Sequence, residues 1–578
     1  MGRRGVLRSL AVLVAVTVGS TGAEAAPLRL GFSGVHALPT KVWAGLSDAD
    51  RLLFVAERLE RAAQLGAEVV RLGATEPRLI DYAKVHASQF RNWLFADKVV
   101  GLLSASPLEV CVTLPELFDT AEIGAFQAYI AAFAERYDGD ADFGIEPVAI
   151  GAEFPDLNGS GEITPDEFQA KPGDARVQTW AAAHEVTMIE PGHEPRAAEQ
   201  TGKLSVGAYA AQVKTTRTAT TDAGGGQRVM LGGTAVENQS KTHFVERLAG
   251  LSAGGPWFDA ANAHLYASVD DLTGVSASAN VTKLRNWLEG VGHGPAERWV
   301  GEVALGTAAA PGTACVDARC SPRTQAASLV RHLLLAAADG VTTVLYAEPI
   351  EVVGSVASAG ARTGTGLLTV SLESGANPFG LKDNPLPLVP RPAYAVWRRL
   401  GEALGEDDAD VTPMSGLPQN VRGFRVGSRG YVIWYDWTLE AQPGEAWSGQ
   451  RKPVDLEGLG SASVKVVSLW PETVATQLEA DGSVEATWSE SLVGVVGGRA
   501  SIFVEQDPVW VEPSDEVVAP PVPDEGPDDV GGGDVAEGPE ASGGSGGGCA
   551  GGGSTGSGAL ASLASLAWLA LGRRRGRR

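Results

Sequence analysis

Between residues 28 and 346, short apolar runs of strand length alternate with amphipathic stretches whose apolar positions recur at helical spacing. The runs predict strands at 28–32, 68–72, 110–114, 148–152, 229–231, 258–264, 299–303 and 341–346. Helices are expected between them at 48–64, capped by Ser47 or Asp48, and at 121–137, 206–220, 241–251, 281–289 and 325–338. Strand and helix in regular alternation mean βα units around a parallel sheet. Eight of them across residues 27–400 predict a (β/α)8 TIM barrel, α/β in class. The competing doubly wound sheet would place a Gly-rich fingerprint after its first strand, and none stands there. One long insertion is expected after residue 153, running to about residue 200. Past residue 400 the period changes to two: runs at 421–426, 431–437, 464–469, 484–488 and 501–505 alternate apolar and polar residues between Gly, Pro and Asp. These predict a small all-β sandwich over 401–512. Its Trp434 and Trp437 have the shape to stack on sugar rings, but in a small sandwich tryptophans more often serve as core.

Both ends depart from this pattern. Arg3, Arg4 and Arg8 precede an apolar run from 10 to 18 and then Ala23, Ala25 and Ala26, the layout of a signal peptide over 1–26, so export to the cell surface or outside is expected. Residues 513–548 are rich in Pro, Gly, Asp and Glu and predict an acidic flexible linker. In 549–578, Gly-rich sequence around Cys549 leads into an apolar segment at 559–571 and five terminal arginines, too short to span a bilayer as a stable helix. This order resembles the myxobacterial C-terminal sorting segment, MYXO-CTERM, which implies a tail that meets the membrane or a sorting machinery; a simple tail anchor is the plainer reading. A net charge of −24 without a basic stripe in the body excludes a nucleic-acid partner. Among four cysteines, Cys315 and Cys320 are spaced for a small loop disulfide in an oxidising compartment, with free thiols the alternative, and Cys111 sits in an apolar run that predicts a buried, inert thiol.

The chemistry-bearing residues are those expected at the C-terminal ends of strands, where a barrel of this kind keeps its active site. They are Arg71 after the second, Glu153 after the fourth, His264 and Tyr266 after the sixth, Glu302 after the seventh, and Tyr346 and Glu348 after the eighth. Two glutamates across a barrel mouth can divide glycosidic cleavage between a proton donor and a nucleophile. A second device follows the first glutamate. Asp156, Asn158, Ser160, Thr164 and Glu167 hold positions 1, 3, 5, 9 and 12 of an EF-hand loop, with Gly161 at the sharp turn and Glu162 offering its carbonyl. That spacing predicts a structural Ca2+ site and no organic cofactor is implied. His184, Glu185, Glu190, His193 and Glu194 fit no compact zinc spacing and read as polar groups of the insertion.

The segments AERYDG (134–139), GAE (151–153), HLY (264–266), WVGE (299–302) and RPAYAVW (391–397) follow one another as in the large clan of retaining (β/α)8 glycoside hydrolases, and the chain resembles that clan over 28–400. The resemblance implies hydrolysis of O-glycosidic bonds in a polysaccharide or oligosaccharide. Glu153 would be acid/base and Glu302 nucleophile, with Arg71, His264, Tyr266 and Tyr346 about the substrate. One departure stands out: many members have Asn immediately before the acid/base, bonding a sugar hydroxyl next to the cleaved bond, and this chain has Ala152. A non-catalytic, calcium-dependent glycan-binding or adhesive surface protein is the alternative.

Overall fold

The computed structural model describes residues 27–33, 46–72, 93–114, 123–141, 156–158, 160, 166, 173–195, 204–224, 226–233, 248, 257–267, 275–294, 296–305, 321–347, 349–353, 366–371, 388–406, 409–436 and 450–518. Eight strands form one parallel sheet: β1 (Arg29–Ser33), β2 (Val69–Leu72), β3 (Glu109–Leu114), β4 (Met188–Pro191), β5 (Arg228–Val229), β6 (Ala260–Ala267), β7 (Glu297–Leu305) and β8 (Thr343–Ala347). Their spatial order is β5-β4-β3-β2-β1-β8-β7-β6, and a parallel bridge between Met230 and Ala260 joins the two ends into a barrel. Helices α1 (Asp48–Gln64), α2 (Leu94–Ala105), α3 (Ile123–Arg136), α4 (Ala175–Ala182), α5 (Val206–Asp222), α6 (Val275–Gly290), α7 (Pro322–Ala338) and α8 (Pro392–Leu404) alternate with the strands. The expected cap on α1 is made by Ser47, whose hydroxyl accepts from the Asp50 amide at 3.1 Å.

The fourth strand is a correction. Its place between β3 and β5 belongs to Met188–Pro191, within the stretch expected to be an insertion, and not to 148–152, which lies outside the described residues. The misreading has a physical cause: β4 turns Glu190 into the barrel, so a strand buried on both faces does not read as an apolar run. A second consequence concerns the segment before it. The Val186 amide donates to the Tyr137 carbonyl at 2.9 Å, so residues 138–185 leave and return at the N-terminal end of β4. This excursion carries α4.

Period-two alternation builds the barrel interior in layers. At the N-terminal mouth Arg29, Glu109, Arg228 and Glu297 form a ring of ion pairs, Arg228 to Glu297 at 2.5 Å. Two residues further along, Val69, Cys111, Met188, Met230, Ala260, Trp299 and Leu345 form a dry plug of their own. Gly31 completes that layer, where a Cβ would stand 1.9 Å from the Val69 carbonyl oxygen. Cys111 is fully buried in it, and burial pushes its thiol well above the ordinary range, as expected of an inert cysteine. Two residues further again the plug gives way to Ser33, Arg71, Thr113, Glu190 and Asn262, all buried and polar.

Three short strands, β9 (Ile350–Val353), β10 (Leu368–Ser371) and β11 (Val389–Pro390), make a small sheet before α8. The all-β region follows. Strands β12 (Val411–Pro413), β13 (Val421–Val426), β14 (Gly430–Tyr435), β16 (Ser463–Val474), β17 (Ala486–Gly494) and β19 (Val509–Ser514) form a six-stranded antiparallel sheet. It packs through Ile433, Tyr435, Val454, Leu456, Ile502 and Val504 onto the pair β15 (Lys452–Glu457) and β18 (Arg499–Val504), as a sandwich. Trp434 is core, stacked on Phe424 at 5.6 Å, and Trp437 lies outside the described residues. Arg331 on α7 donates to the Gln506 carbonyl at 2.8 Å and Tyr394 on α8 to the Gly482 carbonyl at 2.6 Å, tying sandwich to barrel. Residues 519–578, the 1–26 segment, Cys315 and Cys320 lie outside the described residues.

Candidate active site

Arg71 organises the C-terminal mouth. Its Nε and Nη2 fork onto the two oxygens of Glu190 at 2.6 and 2.8 Å, its Nη1 donates to Glu302 Oε1 at 2.8 Å and to Ser33 Oγ at 3.0 Å, and Nη2 also reaches His193 Nδ1 at 2.8 Å. Burial opposes its charge, but Glu190 and Glu302 outweigh that and hold the guanidinium firmly protonated. Glu190 is satisfied on all sides, accepting also from Thr113 Oγ1 at 2.6 Å and Asn262 Nδ2 at 3.0 Å. With no exposure and every oxygen engaged by protein, it is a structural counter-ion that aims Arg71 at Glu302.

Glu302 reaches this interior through a defect in the strand. Strict alternation from inward-facing Trp299 would turn Gly301 inward and Glu302 outward. Between β6 and β7, Ala263 pairs with Val300 but His264 pairs with Glu302, and against β8 the register also slips between Val300 and Val303. The extra residue is a β-bulge, and it turns the Glu302 carboxylate into the mouth. A glycine is required there: a Cβ on Gly301 would meet the Asn262 side chain at 2.3 Å, and its amide donates to Asn262 Oδ1 at 2.7 Å.

A second carboxylate comes to this mouth, that of Glu194. It stands three residues beyond the end of β4, in the run Pro191-Gly192-His193-Glu194-Pro195, and accepts from His264 Nδ1 at 2.9 Å. His264 Nδ1 is also 3.8 Å from Glu302 Oε2, so one imidazole lies between the two carboxylates. Ligand-type atoms of His193, Glu194, His264 and Glu302 all lie within 4.8 Å of one another. Such a cluster invites a metal, but Arg71 occupies it. Arginine only donates, so the Nδ1 lone pair of His193 is already engaged, and a cation would sit against a guanidinium. The donor set does not fit a metal ion.

Of the residues singled out from sequence, Arg71, His264 and Glu302 come together at this mouth. Tyr346 does not: it alternates with inward-facing Leu345 and packs outside the barrel, its ring 5.8 Å from Trp397 of α8. Tyr266 lies on β6 in register with Ala304, its side chain outside the described residues. Glu153 and Glu348 are outside the described residues. Ser33, Thr113, Glu190, His193, Glu194 and Asn262 were missed by the pattern of apolar runs. For Ser33, Thr113, Glu190 and Asn262 the signal was the i+2 step from a plug-layer residue, legible only with strand registers in hand. His184 is elsewhere, stacked on Trp180 at 4.0 Å.

In the calcium-type loop, the described half is partly organised: the Ser160 amide donates to Asp156 Oδ1 at 3.0 Å and to Asn158 Oδ1 at 2.8 Å. Glu162, Thr164 and Glu167 lie outside the described residues.

No family model and no curated protein sequence matches the chain. Solved structures are similar to it. A family 39 glycoside hydrolase from the gut symbiont Bacteroides cellulosilyticus WH2 superposes with a TM-score of 0.50 at 12% identity, covering 85% of this chain and 82% of that one. A family 51 α-L-arabinofuranosidase from Bifidobacterium longum gives 0.47 at 11% identity over 85% and 96%, and a GH39 β-xylosidase from Caulobacter crescentus 0.45 at 16% over 85% and 98%. The first of these likenesses establishes the class: a parallel (β/α)8 barrel with an all-β region behind it.

Proposed function

We propose that the protein is a glycoside hydrolase that cleaves O-glycosidic bonds with retention, using Glu302 as nucleophile and Glu194 as acid/base. The observation that carries this reading is the pair itself: one carboxylate just past β4 and one within β7, their facing atoms no more than 4.8 Å apart, with His264 Nδ1 between them. Retaining enzymes need carboxyl groups about 5–5.5 Å apart, since the nucleophile must touch the anomeric carbon directly, whereas inversion leaves room for a water. The environments divide the roles. Glu302 is 1% exposed and bound through Oε1 to Arg71, so its Oε2 faces the mouth for attack. Glu194 is 34% exposed and able to exchange a proton with a leaving oxygen or with water.

In the first step Oε2 of Glu302 bonds to the anomeric carbon as the glycosidic C–O bond breaks, and the departing oxygen takes the proton of Glu194. In the second, Glu194 removes a proton from water, the water oxygen bonds to the anomeric carbon, and Glu302 leaves as carboxylate. The sugar substrate follows from this chemistry. Export, surface attachment through the tail and a structural Ca2+ at Asp156 to Glu167 belong to the same proposal and rest on sequence, with the Asp156 and Asn158 contacts in support. A screen of chromogenic glycosides with Glu302→Gln and Glu194→Gln as controls is the test, together with a mechanism-based fluoroglycoside. Labelling of Glu302 supports the reading. Glycan binding without turnover or labelling would replace it with a non-catalytic binding barrel.

A further inference from the structure

Past β5 the chain continues as Leu231-Gly232-Gly233, all three buried. The Leu231 amide still donates to the Ala260 carbonyl at 2.9 Å, but the next amide leaves the sheet: that of Gly232 donates to the Tyr209 hydroxyl on α5 at 2.6 Å. Tyr209 has no exposure, so it cannot touch a substrate. Neither glycine has a left-handed backbone, and what they supply is space. A Cβ on Gly232 would stand 2.3 Å from the Gly192 carbonyl oxygen and 3.0 Å from Cδ of Pro195, the residues on either side of His193-Glu194. The run that carries Glu194 therefore rests directly on Gly232. A Cβ on Gly233 would stand 1.9 Å from Nε2 and 2.2 Å from Cε1 of His264, so the ring backs onto this glycine and turns Nδ1 to Glu194, 2.9 Å away.

We propose that Tyr209 is a positioning residue for proton transfer by Glu194: by holding the Gly232 amide it fixes the surface on which the Glu194 run and the His264 ring rest. This builds on the glycosidase reading above and adds to it a residue remote from the sugar. A proton donor works only within hydrogen-bond reach of the leaving oxygen, so a backbone shift beneath Glu194 acts on catalysis directly. Glu302 is held separately, through Oε1, by Arg71 of β2 at 2.8 Å and Ser33 of β1 at 3.3 Å. The start of the Glu194 run is pinned from the other side, the Gly192 amide donating to the Leu114 carbonyl of β3 at 3.1 Å. Releasing Gly232 thus disturbs the acid/base while leaving the hold on the nucleophile in place, and the two steps of the reaction should feel it differently according to how much each leaving group needs a proton.

Two measurements on the full chain test this. The first compares kcat/KM, which reports bond cleavage, on two glycosides of the same sugar: one with a dinitrophenyl leaving group, expelled without a proton, and one with an alkyl leaving group, which needs the proton of Glu194. Tyr209→Phe should fall about 10-fold on the alkyl glycoside and stay within about twofold of wild type on the dinitrophenyl one. Gly232→Ala, which pushes on the Glu194 run with Tyr209 intact, should show the same imbalance. The second measurement is hydrogen exchange followed by mass spectrometry. Tyr209→Phe should speed exchange about 10-fold in a peptide spanning 229–233 and leave the strands β1, β2 and β8 unchanged. Equal losses on both glycosides, or exchange that rises uniformly across the barrel, would make Tyr209 a core residue only and overturn the proposal. Normal turnover of both glycosides by Tyr209→Phe overturns the role while the glycosidase reading stands. A wild-type chain that cleaves neither overturns that reading and this role with it.

Discussion

Replacing Glu190 by Gln changes one atom and removes one negative charge from the barrel interior. Each carboxylate oxygen of Glu190 accepts two hydrogens: Oε2 from Arg71 Nε at 2.6 Å and Thr113 Oγ1 at 2.6 Å, Oε1 from Arg71 Nη2 at 2.8 Å and Asn262 Nδ2 at 3.0 Å. An amide retains one oxygen, and its NH2 must face an N–H of Arg71 whichever way it turns. At least one hydrogen bond to Arg71 is lost, and Arg71 remains fully buried with one of its two carboxylate partners neutralised. Breaking a buried pair by removing one partner costs about 3–5 kcal/mol. Urea unfolding followed by tryptophan emission, with Trp299 in the plug just beneath, should register a loss of that size. Arg71 would also be drawn toward Glu302, its remaining carboxylate, and turnover should fall even though Glu190 touches no substrate. A variant less than about 1 kcal/mol destabilised, with normal kcat, would refute the assignment of Glu190 as the residue that aims Arg71.

Gly233→Ala would place a Cβ 1.9 Å from His264 Nε2, displacing the imidazole between Glu194 and Glu302; kcat/KM should fall about 10²-fold with a modest Tm loss, and unchanged kinetics would exclude a positioning role for His264. Burial pushes the Tyr394 hydroxyl up to about 12 from an ordinary 10.0, so its proton is held more tightly in the folded chain. Its contribution is complete below about pH 10 and is lost as pH rises toward 12, by up to about 3 kcal/mol; the difference in unfolding free energy between wild type and Tyr394→Phe against pH should show this slope. If the 156–167 loop binds Ca2+, millimolar Ca2+ should raise Tm and chelation or Asp156→Asn should reverse it, by about 2.7 kcal/mol at a hundredfold excess over Kd.

Seven of the eight barrel strands announce themselves as apolar runs near their observed places, and Arg71, His264 and Glu302 are recognisable at or near the ends of three of them. That much follows from composition, because a strand buried on both faces must be apolar over most of its length. The fourth strand escaped because its inward residue is Glu190, whose charge is tolerable only opposite Arg71, a residue 119 positions earlier in the chain. A local reading cannot see that compensation and ranks the more apolar 148–152 above it. Tyr346 was drawn to the mouth by its position at a strand end, but register decides which face a strand residue takes, and it faces out. The same parity would have turned Glu302 out too, had the bulge at Gly301 not shifted it. Sequence alone thus determined the barrel, the sandwich behind it and one carboxylate of the pair. Tertiary structure decided its partner, Glu194, and the identity of its neighbour, His193. Both depend on where β4 ends in space, and that is set by pairing with β3 and β5 rather than by any property of the residues themselves.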